Sequence, residues 1–123
     1  MEFEALSGCV IGCAIEVHRQ LGPGLLESVY RMCLAHELTA AGVECETEKA
    51  IAVHYKGIDL PCGFRMDMLV EHALVIEIKA VDVLMPIHET QLLTYLKLSG
   101  IKTGLLINFN SRAIRNGIRR LVL

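Results

Sequence analysis

The stretch Arg65-Met66-Asp67-Met68-Leu69-Val70-Glu71-His72-Ala73-Leu74-Val75-Ile76-Glu77-Ile78-Lys79 decides the fold. It reads as two apolar strands, about 60–70 and 73–81, meeting at the polar pair Glu71-His72. A link that short favours antiparallel pairing. Side chains alternate across a strand, so Glu77 and Lys79 share one face and Ile76 and Ile78 the other. An acid and an amine in a run as apolar as Leu74-Val75-Ile76 cost stability unless they pair or bind a ligand. A divalent metal carrying a phosphate ester is such a ligand. The competing reading is a Glu–Lys pair on an exposed sheet face.

Upstream, alternation from Glu44 to Tyr55 marks another strand, and Lys56-Gly57-Ile58-Asp59 reads as its hairpin turn. Leu6, Val10, Cys13 and Val17 lie at helical spacing and predict a first helix over about 3–20. Leu26, Val29, Cys33 or Leu34, and Leu38 predict a second from about 25 to 41. Leu21-Gly22-Pro23-Gly24 separates the two, and Gly42 stops the second. Downstream, Pro86 opens a helix over 87–99 with Leu92, Leu93, Leu96 and Ile87 facing inward, and Gly100 ends it. Thr103 to Phe109 reads as a buried strand. The tail from Ser111 gives a short helical turn, then an edge strand over 118–123. Strand–helix–strand order from 73 to 109 allows a parallel, right-handed crossover. The expectation is one layered α/β domain over residues 1–123.

A composition of 53% hydrophobic and 21% charged residues excludes disorder. No apolar run approaches the ~20 residues that cross a bilayer. Met1-Glu2-Phe3-Glu4 is acidic and lacks the basic start of a signal peptide, which points to the cytoplasm. A net charge of −2 argues against a general polyanion binder. Arg112, Arg115, Arg119 and Arg120 nevertheless form a local basic cluster, suited to phosphate contact or simply solvated. The five cysteines, Cys9, Cys13, Cys33, Cys45 and Cys62, are odd in number and contain no CxxC. Cys9 and Cys13 sit four apart and read as small core residues rather than metal ligands. Reduced thiols fit the cytoplasm.

The chemistry-bearing residues fall into three groups. Asp67 and Glu77, on neighbouring strands, offer the hard oxygens that Mg²⁺ takes, with Lys79 beside them to orient water or neutralise charge. Glu27 lies in the first turn of its helix, where an acid also complements the dipole, and Tyr30 follows one turn later. Gln91 and Tyr95 share a helix face, with His88 one turn earlier. They suit a phosphate or a bound water, or a polar helix flank. His18 ends the first helix, as a cap or as a general base. His36, His54 and His72 have no evident partner. No Gly-rich phosphate loop, Ser-His-Asp order or dinucleotide fingerprint is present.

Taken together, these blocks resemble a known pattern. Gly24-x-x-Glu27-x-x-Tyr30 resembles the signature that names the GxxExxY protein family, and Glu16 to Gly24 resembles its N-terminal block. Arg65-Met66-Asp67, Ile76-Glu77-Ile78-Lys79-Ala80, Pro86 to Tyr95 and Gly104 to Phe109 are similar to its later blocks, in order, over residues 5–122. That family resembles the PD-(D/E)XK nuclease superfamily, whose restriction-endonuclease-like fold is a mixed sheet flanked by helices. The resemblance implies that Asp67 is the motif aspartate, that Glu77 and Lys79 are the (D/E)-x-K pair, and that Gln91 and Tyr95 form a QxxxY element. It implies metal ligation by Asp67, Glu77 and the Ile78 carbonyl, with Glu27 acting through a second metal or a metal-bound water. The implied activity is Mg²⁺- or Mn²⁺-dependent hydrolysis of nucleic acid. A minimal core needs more surface to grip a duplex and symmetric pairing is common, which predicts a homodimer. Met66 stands where the motif name has proline, and no module beyond the core is visible to choose DNA or RNA. Two rivals are a non-catalytic nucleic-acid- or protein-binding module on the same fold and a homo-oligomeric structural domain.

Overall fold

A computed structural model describes residues 3–123, without the side chains of Phe3 and Cys62, so the expectation for Cys62 lies outside the described residues. The chain runs α1 (Phe3–Leu21), α2 (Glu27–Ala40), β1 (Cys45–Tyr55), β2 (Ile58–Val70), β3 (Leu74–Lys79), α3 (Pro86–Ser99), β4 (Thr103–Asn108), a 3-10 turn (Ile114–Gly117) and β5 (Ile118–Val122). Among the described residues no helix is long and apolar enough to cross a membrane.

The five strands form one sheet in the order β1-β2-β3-β4-β5. Only β3 and β4 pair in parallel, through the α3 crossover; the other neighbours are antiparallel. Both hairpin turns carry positive φ at their two central residues, Lys56 and Gly57 in one, Glu71 and His72 in the other. That geometry matches the strand twist. The second turn closes on the Ala73 N–H, which donates to the Val70 carbonyl at 3.0 Å. His72 reaches Glu44 and Glu46 from this turn.

Apolar side chains on the two faces of the sheet build two cores. Met68, Val70, Leu74, Ile76, Ile78, Leu105 and Ile107 pack with α1 and α2. Leu69, Val75 and Leu106, joined by Met66, pack with Leu92 and Leu96 of α3. Strand alternation then puts Asp67 and Glu77 on the α3 side. Gly104 brings α3 close, because a Cβ there would stand 3.0–3.2 Å from the Leu92 side chain.

The helical faces differ in detail from the apolar spacing. In α1 the buried positions are Leu6, Val10, Ala14 and Val17, with Cys13 only partly covered. In α2 they are Tyr30, Leu34 and Leu38, while Leu26 and Val29 are exposed. The helix is rotated because Tyr30 goes inward, stacking on Phe109 with centroids 4.6 Å apart. An aromatic ring buries more area than the Leu26 or Val29 it displaces from the core face. In α3, Leu92 and Leu96 are buried and Ile87 is exposed, since the first turn overhangs the end of the sheet.

Candidate active site

The site forms where β3 parts from β2 while still paired with β4. The β2–β3 ladder ends at Met68–Ile76, so the next pair would be Asp67 and Glu77. There the Asp67 carboxylate replaces the missing backbone acceptor: its Oδ2 takes the Ile78 N–H at 2.7 Å. The N–H and C=O of one strand residue point to the same neighbour. The Ile78 carbonyl therefore opens toward β2, on the edge that Asp67 occupies.

Glu77 is 4% exposed, the only buried acid among the described residues. Its carboxyl is pushed up to about 9, first by burial, then by hydrogen bonding to Asp67 and by the Asp67 charge; Lys79 pulls the other way. Two carboxyls so close cannot both ionise cheaply. Burial and the neighbouring carboxyl thus favour the protonated form of Glu77 at neutral pH. Tyr95 of α3 covers the pair. Burial raises its phenol, and the nearby Glu77 and Asp67 charges and a hydrogen bond with Glu77 raise it further. Asp67, Glu77, Lys79 and Tyr95 thus converge.

Glu27 arrives from the opposite layer. It is the first residue of α2, and its Oε2 accepts the Ala80 N–H at 3.3 Å, one residue beyond Lys79. The preceding loop holds it there. The Tyr30 hydroxyl donates to the Gly22 carbonyl at 2.7 Å and accepts the Leu25 N–H at 3.1 Å. The Gly24 N–H donates to the Asn110 side chain at 3.0 Å. Gly24 sits at φ 101°, where a β-carbon is strained.

Asn108, which the sequence reading passed over, anchors the rim. It is buried, and its amide accepts the Val81 N–H at 3.0 Å and donates to the Val81 carbonyl at 2.8 Å. It also accepts the Asn110 N–H at 3.2 Å. One side chain therefore ties the loop after β3 to the loop after β4. The available signal was a lone amide in the apolar run Leu105 to Phe109.

Other expected residues stand apart or are engaged elsewhere. Gln91 is exposed on α3, in a groove beside Tyr95. His18 donates through Nε2 to the Ser111 carbonyl at 2.7 Å, so it ties α1 to the loop after β4. His88 accepts the Met85 N–H at 2.9 Å and closes the start of α3. His54 pairs with Asp59 across the first hairpin. All four arginines of the tail are exposed. Arg115, Arg119 and Arg120 line a groove of about 450 Å³ with Ile11 and Ile118, and Arg112 is outside it. That groove lies against α1, across the sheet from the Asp67–Glu77 pair.

Among the described residues no three His, Cys, Asp or Glu side chains stand close enough to hold a metal ion together. Cys9 and Cys13 are free thiols packed against the α1 core. The donors at the dyad are two carboxylates and a carbonyl. This set fits a hard cation that keeps several waters, and a cation there would take over the role of the shared proton.

A model of the PD-(D/E)XK nuclease superfamily matches residues 4–121. No curated protein and no solved structure matches the chain. The mixed sheet between α1–α2 and α3 is the restriction-endonuclease-like architecture of that superfamily.

Proposed function

We propose that this chain, which belongs to the PD-(D/E)XK nuclease superfamily, is a single-domain nuclease cutting phosphodiester bonds with Mg²⁺ or Mn²⁺. The observation that carries the reading is the Asp67–Glu77 pair, held together under Tyr95 at the cost of an unshed proton. Within the superfamily we assign the GxxExxY branch. In support, Gly24 turns the loop, Tyr30 locks it, and Glu27 is delivered to the end of β3.

Asp67, Glu77 and the Ile78 carbonyl would hold the ion. When bound, Mg²⁺ polarises the phosphoryl oxygen and acidifies water. Lys79 orients the attacking water and offsets charge on the phosphate. Tyr95 keeps the Glu77 carboxyl turned toward Asp67. Gln91 would help position water from the α3 side, and Glu27 acts from the α2 rim, outside any three-acid cluster among the described residues. Arg112, Arg115, Arg119 and Arg120 would hold phosphates away from the cut, on the α1 face and its rim. Free thiols at Cys9, Cys13, Cys33 and Cys45 support a reducing, cytoplasmic setting. A second copy of the chain is the proposed partner, and sedimentation at micromolar concentration checks it.

Calorimetric titration of Mn²⁺ into the protein at pH 8 is expected to show binding that Asp67→Asn removes. Labelled DNA and RNA should be cut in Mg²⁺, and Lys79→Ala should lower the rate by about 10²-fold or more with Mn²⁺ binding retained. Nucleic-acid binding without cutting by the unaltered protein would instead favour the non-catalytic reading.

A further inference from the structure

We propose that the groove between α3 and β2 is a subsite for one unpaired nucleobase, so the substrate is single-stranded or locally unpaired nucleic acid. This rests on the nuclease reading, because it places the base next to the phosphate that Asp67 and Glu77 would address.

The groove is lined by Phe64, Ile87, Thr90, Gln91, Thr94 and Tyr95. Its volume is about 240 Å³. Phe64 is 38% exposed and Ile87 is 56% exposed, so both present apolar surface to a ligand. The Phe64 and Tyr95 rings lie edge to face, with centroids 6.0 Å apart and planes at 73°. The two rings therefore cross rather than stack, and an exposed part of the Phe64 ring is left to a ligand. Such a face accepts any base.

The polar groups suit a base edge. The Thr90 and Thr94 hydroxyls donate to the Pro86 and Thr90 carbonyls of their own helix, which leaves oxygen lone pairs outward as acceptors. Gln91 is exposed and brings both a donor and an acceptor. Among the described residues no charged side chain lines the groove, which disfavours a phosphate there. Tyr95 is the wall common to both compartments: its hydroxyl end meets Glu77 and its ring meets Phe64. A strand with its phosphate at the dyad has its neighbouring base at this wall. A paired base, locked in its stack, cannot enter.

The test is binding of fluorescein-labelled dT₁₂, U₁₂ and a matched duplex in Ca²⁺. A dT₁₂ series with one abasic residue moved along the strand completes it. The unaltered protein should prefer single strands to duplex, and one abasic position should weaken binding about fivefold to a hundredfold. Phe64→Ala should lose the same factor on intact dT₁₂ and become indifferent to that abasic position. Phe64→Leu, which keeps the apolar bulk, should fall between them, with thermal melts showing both variants folded. The dT₁₂ and U₁₂ arms show which sugar the base comes with. Equal binding of duplex and single strand, or indifference of the unaltered protein to every abasic position, overturns the proposal. Base-dependent binding without cutting in Mg²⁺ sinks the nuclease reading and leaves the subsite. Cutting without base dependence does the reverse.

Discussion

At Glu77 the site is built against its own stability. Between an ordinary carboxyl pKa of 4.5 and about 9, the folded protein keeps a proton that the unfolded chain has lost. Stability is therefore full below the lower value and declines as pH rises through the window. Thermal melts in EDTA should show Tm falling by several degrees from pH 5 to pH 9, and Mn²⁺ should restore more at pH 8.5 than at pH 5.5. Glu77→Gln keeps a neutral group of the same shape. It is expected to melt at or above the unaltered protein at pH 8.5 while giving no Mn²⁺ heat. The acids and the lysine were legible as residues in sequence because they interrupt an apolar run. Their shared proton was not, since it depends on the separation of two groups ten positions apart in the chain.

Among the elements, all three helices and all five strands could be read from periodicity and from glycine and proline punctuation. β3 is shorter than its apolar run suggests. It stops at Lys79 because the next two amides are taken by side chains, Ala80 by Glu27 and Val81 by Asn108. Such capping comes from other elements and leaves no trace in local spacing. The inward face of α2 was misjudged for a related reason: Tyr30 is drawn in by Phe109, 79 positions away, and by the backbone of the Gly22–Leu25 loop. Tyr30→Phe keeps the stack but strands the Gly22 carbonyl and the Leu25 N–H. A loss of about 1–3 kcal/mol in urea unfolding is expected. Nuclease activity should fall as well, because the loop that delivers Glu27 loosens. An unchanged unfolding midpoint would show that water replaces the hydroxyl.

Across the molecule, strand order and chain order coincide, so each strand pairs only with its neighbours in sequence. Two tight hairpins and a short return through the 3-10 turn need little loop closure. The one distant pairing is β3 with β4, which waits on α3. Mostly local connections favour rapid collapse to the native state, and the parallel pairing sets its pace. Leu106, between α3 and the sheet, is therefore expected to act early: Leu106→Ala should slow refolding in stopped-flow traces. Val53→Ala in the first hairpin should mainly hasten unfolding. Asp67 and Glu77 come from strands joined by a three-residue link, while their cover, Tyr95, lies beyond the slow step. During refolding the two acids consequently meet in water, both ionised, and the proton is captured only when α3 closes over them. Refolding at pH 8 in weak buffer should take up that proton in the same kinetic phase, visible as a lasting pH rise reported by a dissolved dye.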